Sequence, residues 1–157
     1  MIDVADLRRW ALALPETTEK SHGHLIGFHV ADVGFARVDQ RRGVALLQVD
    51  PSQAGPATGS RTGVEVDLAV ADAGLTEQLV AEAWRFRAPA AVADAHPYVG
   101  APPGGALPKA IGGPATGALQ AAGLTTFDAV RAADLDAVLR LHGVGPKAVR
   151  ILRELLA

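Results

Sequence analysis

The sequence predicts an α+β fold, a small antiparallel sheet with flanking helices, followed by an all-helical unit. Three observations lead there. Apolar residues recur at helical spacing at the start, in short strand-like runs from residue 25 to 68, and at helical spacing again beyond residue 107. A stretch rich in Pro, Gly and Ala, residues 89–105, breaks the pattern. Charge divides at the same place: residues 107–157 carry six basic and four acidic side chains, residues 1–106 nine and thirteen.

Val4, Leu7, Trp10, Ala11 and Leu14 set a first helix over 4–14, with Asp3 placed to cap its start and Pro15 to stop it. Residues 25–30, 33–38 and 43–49 then read as short strands. Only Ala31 and Asp32 separate the first two, as in a tight hairpin. Residues 51–63 hold Pro, Gly, Ser and Thr without apolar periodicity and read as a mobile loop. Val64, Val66 and Leu68 alternate with Glu65 and Asp67, the mark of a half-buried strand. From Asp72 to Arg87 a second helix is expected to bury Leu75, Leu79, Val80, Ala83 and Trp84. The domains expected are an α+β domain over 1–88, a flexible linker over 89–106 and a helical domain over 107–157.

The totals bound what the chain does. At 157 residues there is length for one domain and a small second one. Alanine accounts for 31 of the apolar residues and leaves 46 larger ones, enough for one modest core and a minor one. Arg outnumbers Lys by 12 to 3 and Asn is absent, a pattern of GC-rich coding rather than of function. The absence of cysteine excludes disulfides, thiolate metal sites and cysteine nucleophiles. No apolar run reaches the roughly 18 residues that span a bilayer. Asp3, Asp6, Arg8 and Arg9 interrupt the region where a signal peptide would be apolar, so a cytoplasmic protein with no membrane partner is expected. The net charge of −2 excludes a generally basic coat, though not a local basic patch.

One segment carries a mechanism. Asp134 is placed to cap a helix through about Leu141, Gly143 to end it at positive φ, and Gly145-Pro146 to start the next. Val144, between the glycines, is the apolar pin. This is a helix-hairpin-helix. It is expected to turn the amides of Gly145, Lys147 and Ala148 outward at a helix N-terminus, where the dipole favours an anion. Lys147 adds a charge and Arg150 lies one turn on. The binding residues are thus Gly143, Val144, Gly145, Lys147, Ala148 and Arg150, and their ligand is a sugar-phosphate backbone held without base reading. The same residues match Gly-x-Gly-x-x-Ala, but a helix rather than a strand precedes them and only 12 residues follow Gly145. A dinucleotide site needs the opposite context, and no cofactor is expected. The plainer reading is a compact helix connector used for folding or protein contact.

The last 50 residues resemble the helix-hairpin-helix domain that ends the RNA polymerase alpha subunit. Ile111-Gly-Gly-Pro-Ala-Thr-Gly-Ala-Leu-Gln-Ala-Ala-Gly-Leu124 is similar to its first helix and turn, and Thr125-Thr-Phe-Asp-Ala-Val130 to its short second helix. In the latter, Thr125 and Asp128 stand at capping-box spacing. Gly143-Val-Gly-Pro-Lys147 is similar to its DNA-facing hairpin. That resemblance implies contact with double-stranded DNA. In the family a basic residue opens the first helix, where this chain has Pro114, and Gly113, Gly117 and Gln120 add no charge. The implied binding is therefore weak.

Residues 1–88 resemble the MmcQ/YjbR-like family, through Ala13-Leu-Pro-Glu-Thr-Thr-Glu19, Ser21-His-Gly-His24, residues 28–30 and 64–68, and Ala83-Trp-Arg-Phe-Arg-Ala-Pro89. The resemblance implies a small double-wing-like α+β domain. It departs at 51–63, where the family has a longer, partly helical segment.

His22, His24 and His29 form a cluster with metal-ligand potential. In one continuous strand His22 and His24 would share a face and His29 would point away, so no metal site is expected. Trp10 and Trp84 sit at core positions, and Glu16, Glu19, Asp3 and Asp6 read as caps and solvated faces. Nucleophile, base and oxyanion donors come together nowhere in the sequence, so no catalytic residues are expected. The reading is a non-enzymatic protein that binds the DNA backbone weakly and without sequence preference. Its rivals are a protein-interaction adaptor and a small-molecule-binding α+β domain with His22, His24 and Arg37 near a cleft.

Overall fold

The computed structural model describes residues 1–50 and 63–157, so all of the expected loop except Gly63 lies outside the described residues. The fold is mixed α+β, and the chain divides into two compact units, Met1–Pro89 and Ala90–Ala157.

In the first unit α1 (Val4–Leu12) starts at Asp3, whose carboxylate accepts from the Asp6 amide at 2.9 Å. The Asp6 carboxylate in turn accepts from the Asp3 amide at 3.1 Å, closing a capping box. The helix stops two residues short of Leu14, in a turn that leads to Pro15.

Among the described residues five strands follow: β1 (Thr17–His22), β2 (Leu25–Val30), β3 (Val33–Asp39), β4 (Val44–Leu47) and β5 (Val64–Asp67). They form an antiparallel meander in chain order. Ala31 and Asp32, at φ of 45° and 66°, make the two-residue turn between β2 and β3. Such positive-φ pairs match the twist of the strands they join.

β1 was not expected. Its residues, Thr-Thr-Glu-Lys-Ser-His, give no apolar alternation because β1 is an edge strand, and pairing with β2 rather than burial makes it a strand. Arg8 donates to Glu19 on β1 through Nε at 2.7 Å and through a second nitrogen at 3.0 Å. These hydrogen bonds hold the Glu19 carboxyl below its usual value, more strongly than burial raises it.

α2 (Ala73–Arg87) begins at Asp72, which accepts from the Leu75 amide at 2.8 Å. It packs across β3 and β4, while α1 packs against α2 and β1. Leu7, Ala11, Val80, Ala83 and Trp84 thereby cover Ile26, Phe28, Val30, Phe35, Val38, Ala45 and Leu47, all buried. Leu75 departs from expectation: it is 57% exposed, and Thr76 turns inward in its place. The first turn of α2 is rotated by one residue relative to the apolar pattern, with Thr76 Oγ1 donating to the Asp72 carbonyl at 2.7 Å.

The second unit corrects the expected linker. Residues 89–106 hold a helix, α3 (Ala90–Ala95), with Ala93 wholly buried. Asp94 accepts from the amides of Lys109 and Ala110 at 2.7 and 3.1 Å, capping a 3₁₀ turn, Lys109–Ile111. Tyr98 O–H donates to the Asp128 carboxylate. The carbonyls of Gly105 and Gly104 accept from the amides of Phe127 and Asp128 at 3.2 and 2.9 Å. Gly105 has φ of +86°, and a Cβ there would stand 3.1 Å from both Phe127 and Tyr98. The segment looks like a tether because its few larger apolar side chains, Val92, Tyr98 and Val99, show no periodicity among Pro, Gly and Ala. Small residues instead let backbone pack on backbone.

Four further helices complete this unit: α4 (Gly113–Ala121), α5 (Phe127–Ala132), α6 (Leu135–Leu139) and α7 (Pro146–Leu156). Their core comprises Ile111, Ala115, Leu119, Val130, Val138, Val144, Ala148 and Leu152. The cap of α5 also differs from expectation. Thr126, not Thr125, is its first boundary residue, and its hydroxyl accepts from the Ala129 amide at 3.1 Å. Thr126→Ala is therefore expected to cost about 1 kcal/mol in the unfolding of this unit, and Thr125→Ala almost nothing. Far-UV circular dichroism in urea measures both.

Candidate nucleic-acid interface

The hairpin joins α6 to α7. Asp134 caps α6 by accepting from the Asp136 amide at 3.1 Å, and the helix ends at Leu139 rather than Leu141. The Val144 amide donates to the Leu141 carbonyl at 3.1 Å, which tightens the turn. Gly143 has φ of +101°, and a Cβ on it would lie 3.0 Å from the Pro114 carbonyl oxygen and 3.2 Å from the Ala118 Cβ. This position thus needs glycine for its backbone angle and for the closeness of α4. Val144 is buried in the helical core, as a pin should be.

Gly145 is different. Its φ is −80°, ordinary for any residue, and a Cβ there would meet nothing within 4 Å. It is the boundary residue of α7, no side chain caps that end, and Pro146 occupies the first turn. The first helical bond runs from the Val149 amide to the Gly145 carbonyl at 3.0 Å. The Lys147 and Ala148 amides precede it, in the part of a helix that lacks internal partners. Lys147 and Arg150 are exposed, and neither forms an ion pair among the described residues. Ala148 is buried, so it contributes backbone alone. Of the six residues expected to bind, Gly143, Val144 and Ala148 therefore shape the hairpin, and Gly145, Lys147 and Arg150 face solvent. The arrangement presents amide donors, a helix dipole and two exposed cations at one helix end.

An internal repeat relates the two glycine-opened helices and shows where their charge differs. Ile111-Gly-Gly-Pro-Ala-Thr-Gly-Ala-Leu119 aligns with Val144-Gly-Pro-Lys-Ala-Val-Arg-Ile-Leu152, sharing β-branched, Gly, Ala and Leu positions. The shared apolar positions are all buried in one core, and the 3₁₀ turn that leads into α4 packs against α7. α4, like α7, starts from a glycine without a side-chain cap. Pro114 and Gly117, however, stand where the second copy has Lys147 and Arg150. Two hairpins are built alike, and only the α7 one carries cations on its helix, Lys109 lying before α4 in the 3₁₀ turn.

The histidines are placed by the unexpected β1. The chain turns at Gly23 and His24, so His22 pairs with Leu25 across the hairpin and Thr18 pairs with His29. Directly paired residues share a sheet face, and 25, 27 and 29 alternate onto one face. His22 and His29 therefore lie on the same face, not on opposite ones. His24 sits in the turn. Among the described residues no group of three His, Cys, Asp or Glu side chains is placed to hold a metal ion.

No described helix is long and apolar enough to cross a membrane. Comparison with family models, curated proteins and solved structures finds no match to this chain.

Proposed function

We propose that the second unit binds the sugar-phosphate backbone of double-stranded DNA at the N-terminus of α7, without catalysis and without reading bases. The observation that supports this is the pairing at one helix end of an uncapped, glycine-opened entry with two unpaired cations, Lys147 and Arg150. Amide donors and the helix dipole engage a phosphate oxygen, Lys147 neutralises it, and Arg150 reaches the next phosphate along the strand. With no cation on α4 itself the footprint is short. The similarity to the RNA polymerase alpha C-terminal domain supports the same surface, and the missing first-helix charge argues for low affinity.

Titration of two unrelated duplexes by fluorescence anisotropy tests this. Neutralising about two phosphates implies a loss of roughly tenfold in affinity between about 50 and 200 mM salt, the same for both sequences. Lys147→Glu is expected to abolish binding at the lower salt. Full affinity in that variant, or a strong preference for one duplex, overturns the proposal. Capture of a protein at this hairpin with no DNA bound at low salt favours the adaptor reading instead.

A further inference from the structure

A second cationic feature lies on the sheet of the first unit. α1 and α2 cover one face of the sheet, and the other face carries the alternate residues of each strand. On that face Gly27 and His29 of β2, Gly34 and Arg37 of β3, Gln48 just beyond β4, and Arg87 at the end of α2 surround an open cup of about 500 Å³. That is within the size range of small-ligand sites.

Local backbone irregularity builds the cup. The register between β2 and β3 shifts at Phe28/His29, so Phe28 pairs with Ala36, His29 with Gly34, and Phe35 is the extra residue. Bulges of this kind re-aim side chains, and here Phe35 and Ala36 are both buried while Arg37 is exposed. The two glycines leave the floor low. A Cβ on Gly27 would stand 3.0 Å from the His29 ring, and one on Gly34 would stand 3.6 Å from it. The imidazole thus lies between the two glycines. Its Nδ1 is buried with no hydrogen-bond partner, so no bond to the protein at that atom fixes the ring. Arg87 is held at the rim by donating from Nε to the Gly34 carbonyl at 3.1 Å, which leaves its terminal nitrogens for another acceptor.

Charge gives the ligand class. Two guanidinium groups, an imidazole and a carboxamide line the cup, and no carboxylate does so among the described residues. Neither Arg37 nor Arg87 forms an ion pair among them. Glu65, the acid in the cross-strand row of Arg37 and Leu46, is paired with Arg42 at 3.1 Å. Two cations brought to one concavity without a counter-charge is an unfavourable arrangement that an anion relieves.

We propose that this cup is a binding site for a small organic oxyanion, a carboxylate or a phosphate monoester, gripped by Arg37 and Arg87 with Gln48 and His29 as further hydrogen-bonding partners. The site is independent of the α7 hairpin and shares no residue with it.

The test uses the full chain, with inorganic phosphate and succinate as separate probes, followed by amide chemical shifts and calorimetry. Saturable binding of either probe is expected, with the largest shifts at Gly27 and Gly34, and the probe that binds tighter identifies the anion type. Arg37→Gln, at an exposed side chain with no hydrogen bond or ion pair among the described residues, is expected to weaken binding about tenfold. Arg87→Gln is expected to do the same, with its melting temperature checked because it also loses the bond to Gly34. Lys147→Glu and Arg41→Gln are expected to leave cup binding unchanged. The proposal is overturned by the absence of saturable binding, by shifts confined to the α7 hairpin, by full affinity in Arg37→Gln, or by equal loss in Arg41→Gln.

Discussion

Trp84→Ala is expected to be the most damaging single substitution in the first unit, lowering its stability by about 3–5 kcal/mol. Trp84 is wholly buried, and it sits on α2 where that helix crosses the sheet and meets α1. Removing the indole leaves a cavity bounded by elements that cannot all collapse toward it, and the cost grows with the volume left empty. A polar contribution adds to this. Trp84 Nε1 donates to the Pro15 carbonyl at 2.9 Å, fixing the chain between α1 and β1. Trp84→Phe separates the two effects, because it keeps most of the volume and loses the donor. Its expected cost is about 1–2 kcal/mol, moderated because Thr17 Oγ1 also donates to that carbonyl, at 3.3 Å. Urea unfolding followed by the remaining tryptophan, Trp10, reports the first unit alone, since residues 90–157 contain no tryptophan. A loss below about 1 kcal/mol for Trp84→Ala would contradict this account of the core.

Gly143→Ala is expected to cost about 2–4 kcal/mol in the second unit, and Gly145→Ala less than about 1 kcal/mol. The two glycines are separated by one residue and look alike in the sequence. At Gly143 the added methyl meets a backbone angle of +101° and, at 3.0 Å, the Pro114 carbonyl, which is helix backbone and cannot move aside alone. Relieving the contact means separating the hairpin from α4 and withdrawing Val144 from the core. At Gly145 the methyl projects into open space. It does stand where a phosphate would approach, so Gly145→Ala, and more so Gly145→Val, should weaken DNA binding in a folded protein. Far-UV circular dichroism in urea gives the stabilities, and anisotropy gives the affinities.

Much of the architecture was legible because it rests on periodicity and on residues with restricted backbone angles. The α+β class, β2 to β5, both helices of the first unit and the Gly143-Val144-Gly145-Pro146 hairpin all have such signals. β1 had none, since its six residues are polar and only their pairing with Leu25–Val30 makes them a strand. Missing that strand also misplaced the histidines, because the turn at Gly23 reverses the chain and brings His22 to the face of His29. The order of residues 90–106 escapes a sequence pattern for the opposite reason. Periodicity registers large side chains, whereas residues 90–106 are held by Asp94, Tyr98 and close-packed glycines. Of the cup, Arg37 was visible as a candidate beside His22 and His24. Its actual neighbours, His29, Gly34 and Arg87, are set by a register shift and by the end of α2, neither of which a local sequence pattern encodes.

The central claim, that an uncapped helix start presents phosphate-binding amides, is tested most directly by amide chemical shifts of the full chain titrated with a short duplex at low salt. The account predicts that the largest changes fall on Gly145, Lys147 and Ala148, smaller ones along α7 to Arg150, and that all of them fade as salt is raised. Changes centred on the α4 hairpin or on the sheet of the first unit, with Gly145 to Ala148 unmoved, would contradict it.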